Sequence, residues 1–188
     1  MRMDHGAESY RRFREQGDES GLAEIIRDYK DGLILYLSGY TGDLRAAEEL
    51  AEDTFVRLGT RKPKDRGGGS FRTWLYTIGR NIAIDYLRKQ KRRGTVPIEE
   101  VPEPTDEEAD LERACIREER KILVHRALNT LKPEYRQVLW LLYFEGFGTG
   151  EAASVMGKSV HSTETLAYRA RQALKEKLKA EGIDNEEL

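Results

Sequence analysis

Apolar positions in this chain recur at spacings of three and four almost from end to end, and glycine or proline interrupts them at intervals. Ser9–Gln16 predicts a short helix stopped by Gly17. Leu22, Ile25, Ile26, Tyr29, Leu33, Tyr36, Leu37 and Tyr40 then keep one helical face up to Thr41-Gly42-Asp43. Asp43 has a capping side chain, and Ala47, Leu50, Ala51, Thr54, Phe55 and Leu58 carry the helix that follows it. The stretch 59–70, GTRKPKDRGGGS, predicts a loop, because Pro63 and three consecutive glycines deny it regular structure.

Residues 71–93, FRTWLYTIGRNIAIDYLRKQKRR, predict a long helix with two stripes. Leu75, Ile78, Ile82 and Tyr86 fall on a core-facing line. Trp74, Asn81 and Arg88 form a polar and aromatic line about a quarter turn away. A second helical unit begins near Glu112, with Ile116, Leu123, Val124, Ala127, Leu128 and Leu131 on its first helix. Pro133 suits the first turn of the next, which runs through Val138, Leu139 and Leu142 to the break at Gly146–Gly148. A short helix, Thr149–Met156, leads through Gly157-Lys158 into a long helix from Ser159 to about Ala180. On that helix Val160, Thr163, Leu166, Ala167, Ala170 and Leu174 are expected to face inward. No strand-like alternation stands out. The fold class is all-α: two small helical bundles, residues 1–93 and 112–188, joined by a flexible acidic linker, 94–111.

Composition sharpens that picture. Of 188 residues 38 % are hydrophobic and 35 % charged, which favours small helical units with large solvated faces. A formal net charge of -2 hides strong segregation. Residues 99–112, EEVPEPTDEEADLE, hold eight acids and no base, whereas Arg72, Arg80, Arg88, Lys89, Lys91 and Arg92 crowd the helix before them. Like-charge repulsion and prolines extend the acidic stretch. The single cysteine, Cys115, excludes an internal disulfide framework. The N-terminal MRMDHGAESYRRF has no apolar signal segment and no run is long enough for a membrane span, so a cytoplasmic location is expected.

Candidate chemistry points to binding. A short helix, a Gly-containing turn and a longer helix form a helix-turn-helix pattern at 149–180. His161, Thr165, Tyr168 and Gln172 make its outward stripe, flanked by Ser162, Glu164, Arg169 and Arg171, with Lys158 at the turn. Such side chains bond base edges and phosphates. Glu48, Glu49, Glu52 and Asp53, beside Phe55, suit docking onto a basic partner better than acid–base catalysis, since no nucleophile accompanies them. His5, His125 and His161 are dispersed without metal-ligand spacing, and no strand precedes the glycines at 67–69 to make a phosphate loop. No catalytic residues, cofactor or metal site are expected.

The stretches AAEELAEDTFVRL (46–58) and SFRTWLYTIGRNIAIDYLRKQKRR (70–93) resemble region 2 of the extracytoplasmic-function (ECF) group of bacterial RNA polymerase sigma factors. ALNTLKPEYRQVLWLLYFEGFGTGEAASVMGKSVHSTETLAYRARQALKEKL (127–178) is similar to region 4. The resemblance implies an alternative sigma factor, which directs polymerase core to promoters and is not an enzyme. It assigns Glu48, Glu49, Glu52, Asp53 and Phe55 to the clamp helices of the polymerase's largest subunit. It assigns Arg66, Ser70, Phe71, Trp74, Arg80, Asn81, Arg88, Lys89, Lys91 and Arg92 to the minus-ten element, with Asn81 contacting a base edge and Trp74 stacking on one. Lys158, His161, Ser162, Glu164, Thr165, Tyr168, Arg169 and Arg171 fall to the minus-thirty-five element. The partners implied are RNA polymerase core and promoter DNA, with an anti-sigma factor as a further candidate.

The sequence departs from the family at several points. Glu164 and Leu166 stand where the commonest recognition helix has a basic pair. Gly-Thr-Gly-Glu at 148–151 replaces Ser-Tyr-Glu-Glu. Thr77 and Ile78 occupy the place of the melting aromatics of housekeeping factors, which implies poor melting, and Asp65 replaces a loop aromatic. A helix-turn-helix regulator independent of polymerase, and a structural helical adaptor, remain the competing readings.

Overall fold

The computed structural model describes residues 5–63, 69–93, 124 and 126–180, and every regular element among them is helical. Helix α1 (Gly6–Arg11) passes into a π-helical turn, Arg12–Gln16, which ends at Gly17 in the left-handed conformation, φ 73°. Asp18 then caps α2 (Glu19–Thr41), its carboxylate accepting from the Ser20 N–H at 3.0 Å. Gly42 closes α2, and Asp43 caps α3 (Leu44–Arg61) by accepting from the Arg45 and Ala46 N–H groups. Helix α4 spans Phe71–Arg93. Residues 126–129 are helical and lead to α5 (Pro133–Leu139), with Pro133 in its first turn as expected. A second π-helical turn, Trp140–Phe144, stacks the Trp140 and Phe144 rings with centroids 4.5 Å apart. Helices α6 (Thr149–Met156) and α7 (Val160–Ala180) form the helix-turn-helix, with Gly157 supplying the positive φ between them.

The expected apolar face of α3 is buried at every named position, from Ala47 to Leu58. The acidic linker and the helix start near Glu112 lie outside the described residues.

Helix α4 differs from expectation in an informative way. Leu75 is fully buried, but Ile78, Ile82 and Tyr86 are only half-buried, while Phe71, Thr73, Tyr76, Gly79 and Ala83 are buried. So wide a buried arc means that α4 is covered from two sides. One cover is α2 and α3: Gly79 crosses α2 so closely that a Cβ there would lie 3.0 Å from Leu33 Cδ1. The other is α6 with its preceding loop, where the Phe147 ring meets Tyr76 at 5.2 Å. The two bundles therefore share one continuous apolar core, running from Tyr10 and Leu33 through Tyr76 to Val138, Val155 and Ala170. On α7, Thr163, Ala167 and Ala170 face inward as expected, but Val160 is 49 % exposed, because it occupies the first position of the helix, beyond its neighbour's reach. Leu178, not expected, is buried instead.

The Asp43 cap fixes where α3 starts and hence the phase of its whole buried face. Asp43→Ala should cost about 0.5–2 kcal/mol in urea unfolding, and Asp43→Asn should restore most of it.

Candidate nucleic-acid interface

On α3, Glu49, Glu52 and Asp53 are exposed and Glu48 is half-exposed, forming an acidic ridge. Phe55 is not part of it: it is 7 % exposed and belongs to the core, so its place in the docking set is corrected. The apolar group on the ridge is Val56, 58 % exposed, one helical turn from Glu52 and Asp53. Only a search for apolar side chains on the polar face would have found it in the sequence.

On α4, Asn81, Arg88, Lys89, Lys91 and Arg92 are exposed, and Trp74 is half-buried. The predicted Trp74–Asn81–Arg88 line therefore lies open along one side of the helix. Trp74 is held by an aromatic cluster, with its ring centroid 5.2 Å from Tyr10 and 5.6 Å from Phe71. Phe71 itself is buried in the core and touches Tyr29 as well at 5.8 Å, so it is closed to a nucleotide and its place in the minus-ten set is corrected to a support beneath Trp74. Arg66 lies outside the described residues.

Two residues of the predicted minus-ten set are engaged elsewhere. Arg80 points away from Asn81, and its guanidinium lies against Gly157, 3.3–3.5 Å from where a Cβ would stand. That places a cation at the C-terminal end of α6, where the helix dipole favours it. Ser70 accepts from the Thr73 N–H at the start of α4, and its hydroxyl donates to Glu151 Oε1 at 2.9 Å. Thr73 Oγ1 donates to the same oxygen at 3.1 Å, while Glu151 Oε2 accepts from the Gly148 N–H at 3.0 Å. Glu151 thus completes half of a capping box on α6 and ties α6 to α4. Nearby, Arg72 donates to the Glu145 carbonyl and stacks its guanidinium 4.1 Å from the Phe147 ring centroid. Gln137 and Arg136 both donate to the Gly39 carbonyl at 3.4 Å, joining α5 to α2.

Helix α7 presents His161, Ser162, Glu164, Tyr168, Arg169 and Arg171 to solvent, with Thr165 half-exposed among them. Tyr168 is 58 % exposed. The Ser162 N–H donates to Ser159 Oγ at 3.1 Å, so Ser159 caps the helix. Lys158 pairs with Glu134 at 3.1 Å, and Arg171 donates to the Tyr143 hydroxyl at 3.0 Å. Neither cation is directed at Glu164, which stands out from the helix face. Among the described residues no group of three or more His, Cys, Asp or Glu side chains could hold a metal, and no helix is long and apolar enough to cross a membrane.

The family model for Sigma-70 region 2 matches residues 25–93, and that for Sigma-70, region 4 matches residues 121–174. The chain is 30 % identical over 158 residues to RNA polymerase sigma factor YlaC of Bacillus subtilis, covering 84 % of this chain and 91 % of that one. It is 27 % identical over 173 residues to the RNA polymerase sigma-H factor of Pseudomonas aeruginosa, covering 85 % and 87 %. It is also 27 % identical to the ECF RNA polymerase sigma factor BldN of Streptomyces coelicolor, of whose length it spans 61 %. In fold it is similar to the sigma factor RpoE of Bartonella quintana, solved with the anti-sigma factor NepR (TM-score 0.66, 24 % identity, 84 % of this chain and 96 % of that one). It is likewise similar to CnrH, solved with the cytosolic domain of CnrY (TM-score 0.62, 22 % identity, 93 % and 95 %). None of these comparisons favours a polymerase-independent regulator or a structural adaptor.

Glu151 carries a testable pH dependence. Burial pushes its carboxyl up, but hydrogen bonds from Gly148, Ser70 and Thr73, with Arg72 close by, outweigh this and hold it below its ordinary value of 4.5. A depressed folded value means that the contribution is complete above 4.5 and is lost as pH falls through the folded value. The melting temperature of Glu151→Gln should therefore lie below wild type at neutral pH, and the gap should narrow steadily below the ordinary carboxylate range. A gap that stays constant with pH would show that the charge on Glu151 contributes nothing.

Proposed function

The chain belongs to the ECF group of RNA polymerase sigma factors, transcription initiation factors that direct polymerase core to promoters, and on that premise we propose how its residues divide the work. Residues 1–93 bind core through the α3 ridge and the minus-ten element through α4. Residues 112–188 bind the minus-thirty-five element through α7, with 94–111 as the linker between them. The chain acts by binding, and the chemistry of transcription is the polymerase's.

One observation carries this reading: the open line of Trp74, Asn81 and Arg88 on a helix whose opposite face, at Tyr76, Gly79 and Ala83, is buried. A stacking ring, a bidentate amide and a guanidinium on one face suit an unstacked base and its phosphates. Lys89, Lys91 and Arg92 extend the cationic end of the same helix. Glu48, Glu49, Glu52 and Asp53, with Val56 among them, suit a basic partner surface with an apolar spot. On α7 the specificity set is His161, Ser162, Glu164, Thr165 and Tyr168, while Lys158, Arg169 and Arg171 supply attraction to phosphate. Glu164 is a candidate acceptor for a cytosine amine. That RpoE is solved with an anti-sigma factor supports a partner of that kind here. Polymerase and promoter DNA reside in the cytoplasm, which supports the same location for this chain.

Core docking is tested by the double reversal Glu52→Lys with Asp53→Lys, which should weaken association with core by roughly 1–3 kcal/mol and leave the circular dichroism spectrum intact. Retention of full affinity would remove the ridge from the interface. For the opened strand, Asn81→Ala should cost roughly 1–3 kcal/mol of discrimination at one minus-ten position. Arg92→Ala should weaken all promoters alike and reduce the salt slope by about one. Transcription over single-base promoter variants at fixed salt separates the two, and equal shifts everywhere for Asn81→Ala would rule it out as a reader.

A further inference from the structure

One side chain of α1 touches both the exit of α3, at Pro63, and the first turn of α4, at Phe71 and Trp74. Tyr10 of α1 is buried. Its hydroxyl donates to the Pro63 carbonyl at 2.6 Å, and its ring lies 5.2 Å from Trp74 and 5.5 Å from Phe71. Next to it, the ammonium of Lys62 sits 4.6 Å from the centroid of the Phe13 ring, in a residue whose φ of 42° marks the turn out of α3.

Helix α1 is itself pinned. A Cβ at Gly21 of α2 would lie 2.2 Å from the Ser9 carbonyl oxygen, so the two backbones are in direct contact. Ser9 Oγ donates to Glu24 at 2.6 Å, and Arg12 pairs with the same carboxylate. At the other end a Cβ at Gly6 would stand 2.3 Å from Phe71 Cδ1. Rigid seating on α2 and flush contact with α4 are what a positioning element needs. Residues 6–16 lie outside the stretch matched by the region 2 model, which begins at residue 25.

We infer that Tyr10 is a positioning residue for promoter reading: its hydroxyl, anchored on the Pro63 carbonyl, holds its ring in place, and that ring fixes the plane of Trp74, so that Trp74 and Asn81 meet the minus-ten strand in one register. This rests on the reading that Trp74 and Asn81 face that strand. A reader displaced by a fraction of an ångström loses discrimination while the fold survives.

The test is Tyr10→Phe in the full chain, which keeps the ring and removes the bond to Pro63. Holoenzyme assembly and melting temperature are measured first. Binding is then profiled on fork-junction probes carrying every single-base change in both promoter elements. The expected result is normal assembly, unchanged discrimination at the minus-thirty-five element, and a loss of about three- to tenfold in discrimination at the minus-ten element, the size of one hydrogen bond. Tyr10→Leu should lose more, because the ring beside Trp74 goes as well. An unchanged Tyr10→Phe profile alongside an altered Asn81→Ala profile overturns the inference and leaves the functional reading standing. Equal loss at both elements also overturns it, since a purely structural defect would act so. An unchanged Asn81→Ala profile overturns the functional reading and the inference with it.

Discussion

One carboxylate, Glu151, sits at the first turn of two helices at once. It accepts from the Gly148 N–H at the start of α6 and from the Ser70 and Thr73 hydroxyls at the start of α4. Both helix N-termini present positive dipole ends to it; at α6 it takes an orphan N–H directly, and at α4 it holds Ser70, whose oxygen takes the Thr73 N–H. Around this contact the apolar surfaces close: Phe147 packs on Tyr76, Arg72 covers Phe147, and Tyr76 meets Tyr36 at 5.3 Å. Burial drives the Tyr36 and Tyr76 hydroxyls well above the ordinary tyrosine value, as expected for groups sealed inside a shared core. The family's usual Ser-Tyr-Glu-Glu entry becomes Gly-Thr-Gly-Glu here, and the glutamate that survives is the one used.

The same contact sorts the residues proposed for the minus-ten element into two groups. Asn81, Arg88, Lys89, Lys91 and Arg92 stand free of α6, on the exposed side of α4. Ser70 and Arg80 do not: the Ser70 hydroxyl proton given to Glu151 is not available to a nucleotide, and the Arg80 guanidinium lies at the end of α6. A phosphate would have to displace a carboxylate from the first and a helix terminus from the second. In the arrangement described, the open members of the proposed minus-ten set are therefore those on the Trp74 side.

Much of this was legible in the sequence because the signals are local. Gly17, Asp43, Pro133 and Gly157 each mark a boundary by their own backbone chemistry, and α3 shows its buried face through simple periodicity. What escaped depends on a second body. The periodicity of α4 points to one core, so Ile78, Ile82 and Tyr86 look buried, while Thr73 meets Glu151 of α6 and Tyr76 lies between Tyr36 and Phe147, partners distant in sequence. Phe55 stands beside Glu52 and Asp53 in sequence, yet on the helix it turns to the core and Val56 takes the outer place. Sequence neighbours are not surface neighbours on a helix.

The charge distribution completes the argument. A chain of net charge -2 gains nothing from overall attraction to DNA, so its cations must be concentrated where strand and protein meet. The cations are in fact concentrated, on the C-terminal half of α4 and the outer face of α7 to which DNA contact is assigned by proposal, while the acids line α3 and the stretch 99–112. Glu164 breaks this segregation. Lys158 is taken by Glu134 and Arg171 bonds Tyr143, so neither of these cations is directed at it. On the proposed reading of α7, an exposed carboxylate among side chains that meet DNA repels phosphate at every sequence and is compensated only where a base offers a donor. On that proposal the asymmetry gives Glu164 a larger effect on choice between promoters than on affinity for any one of them.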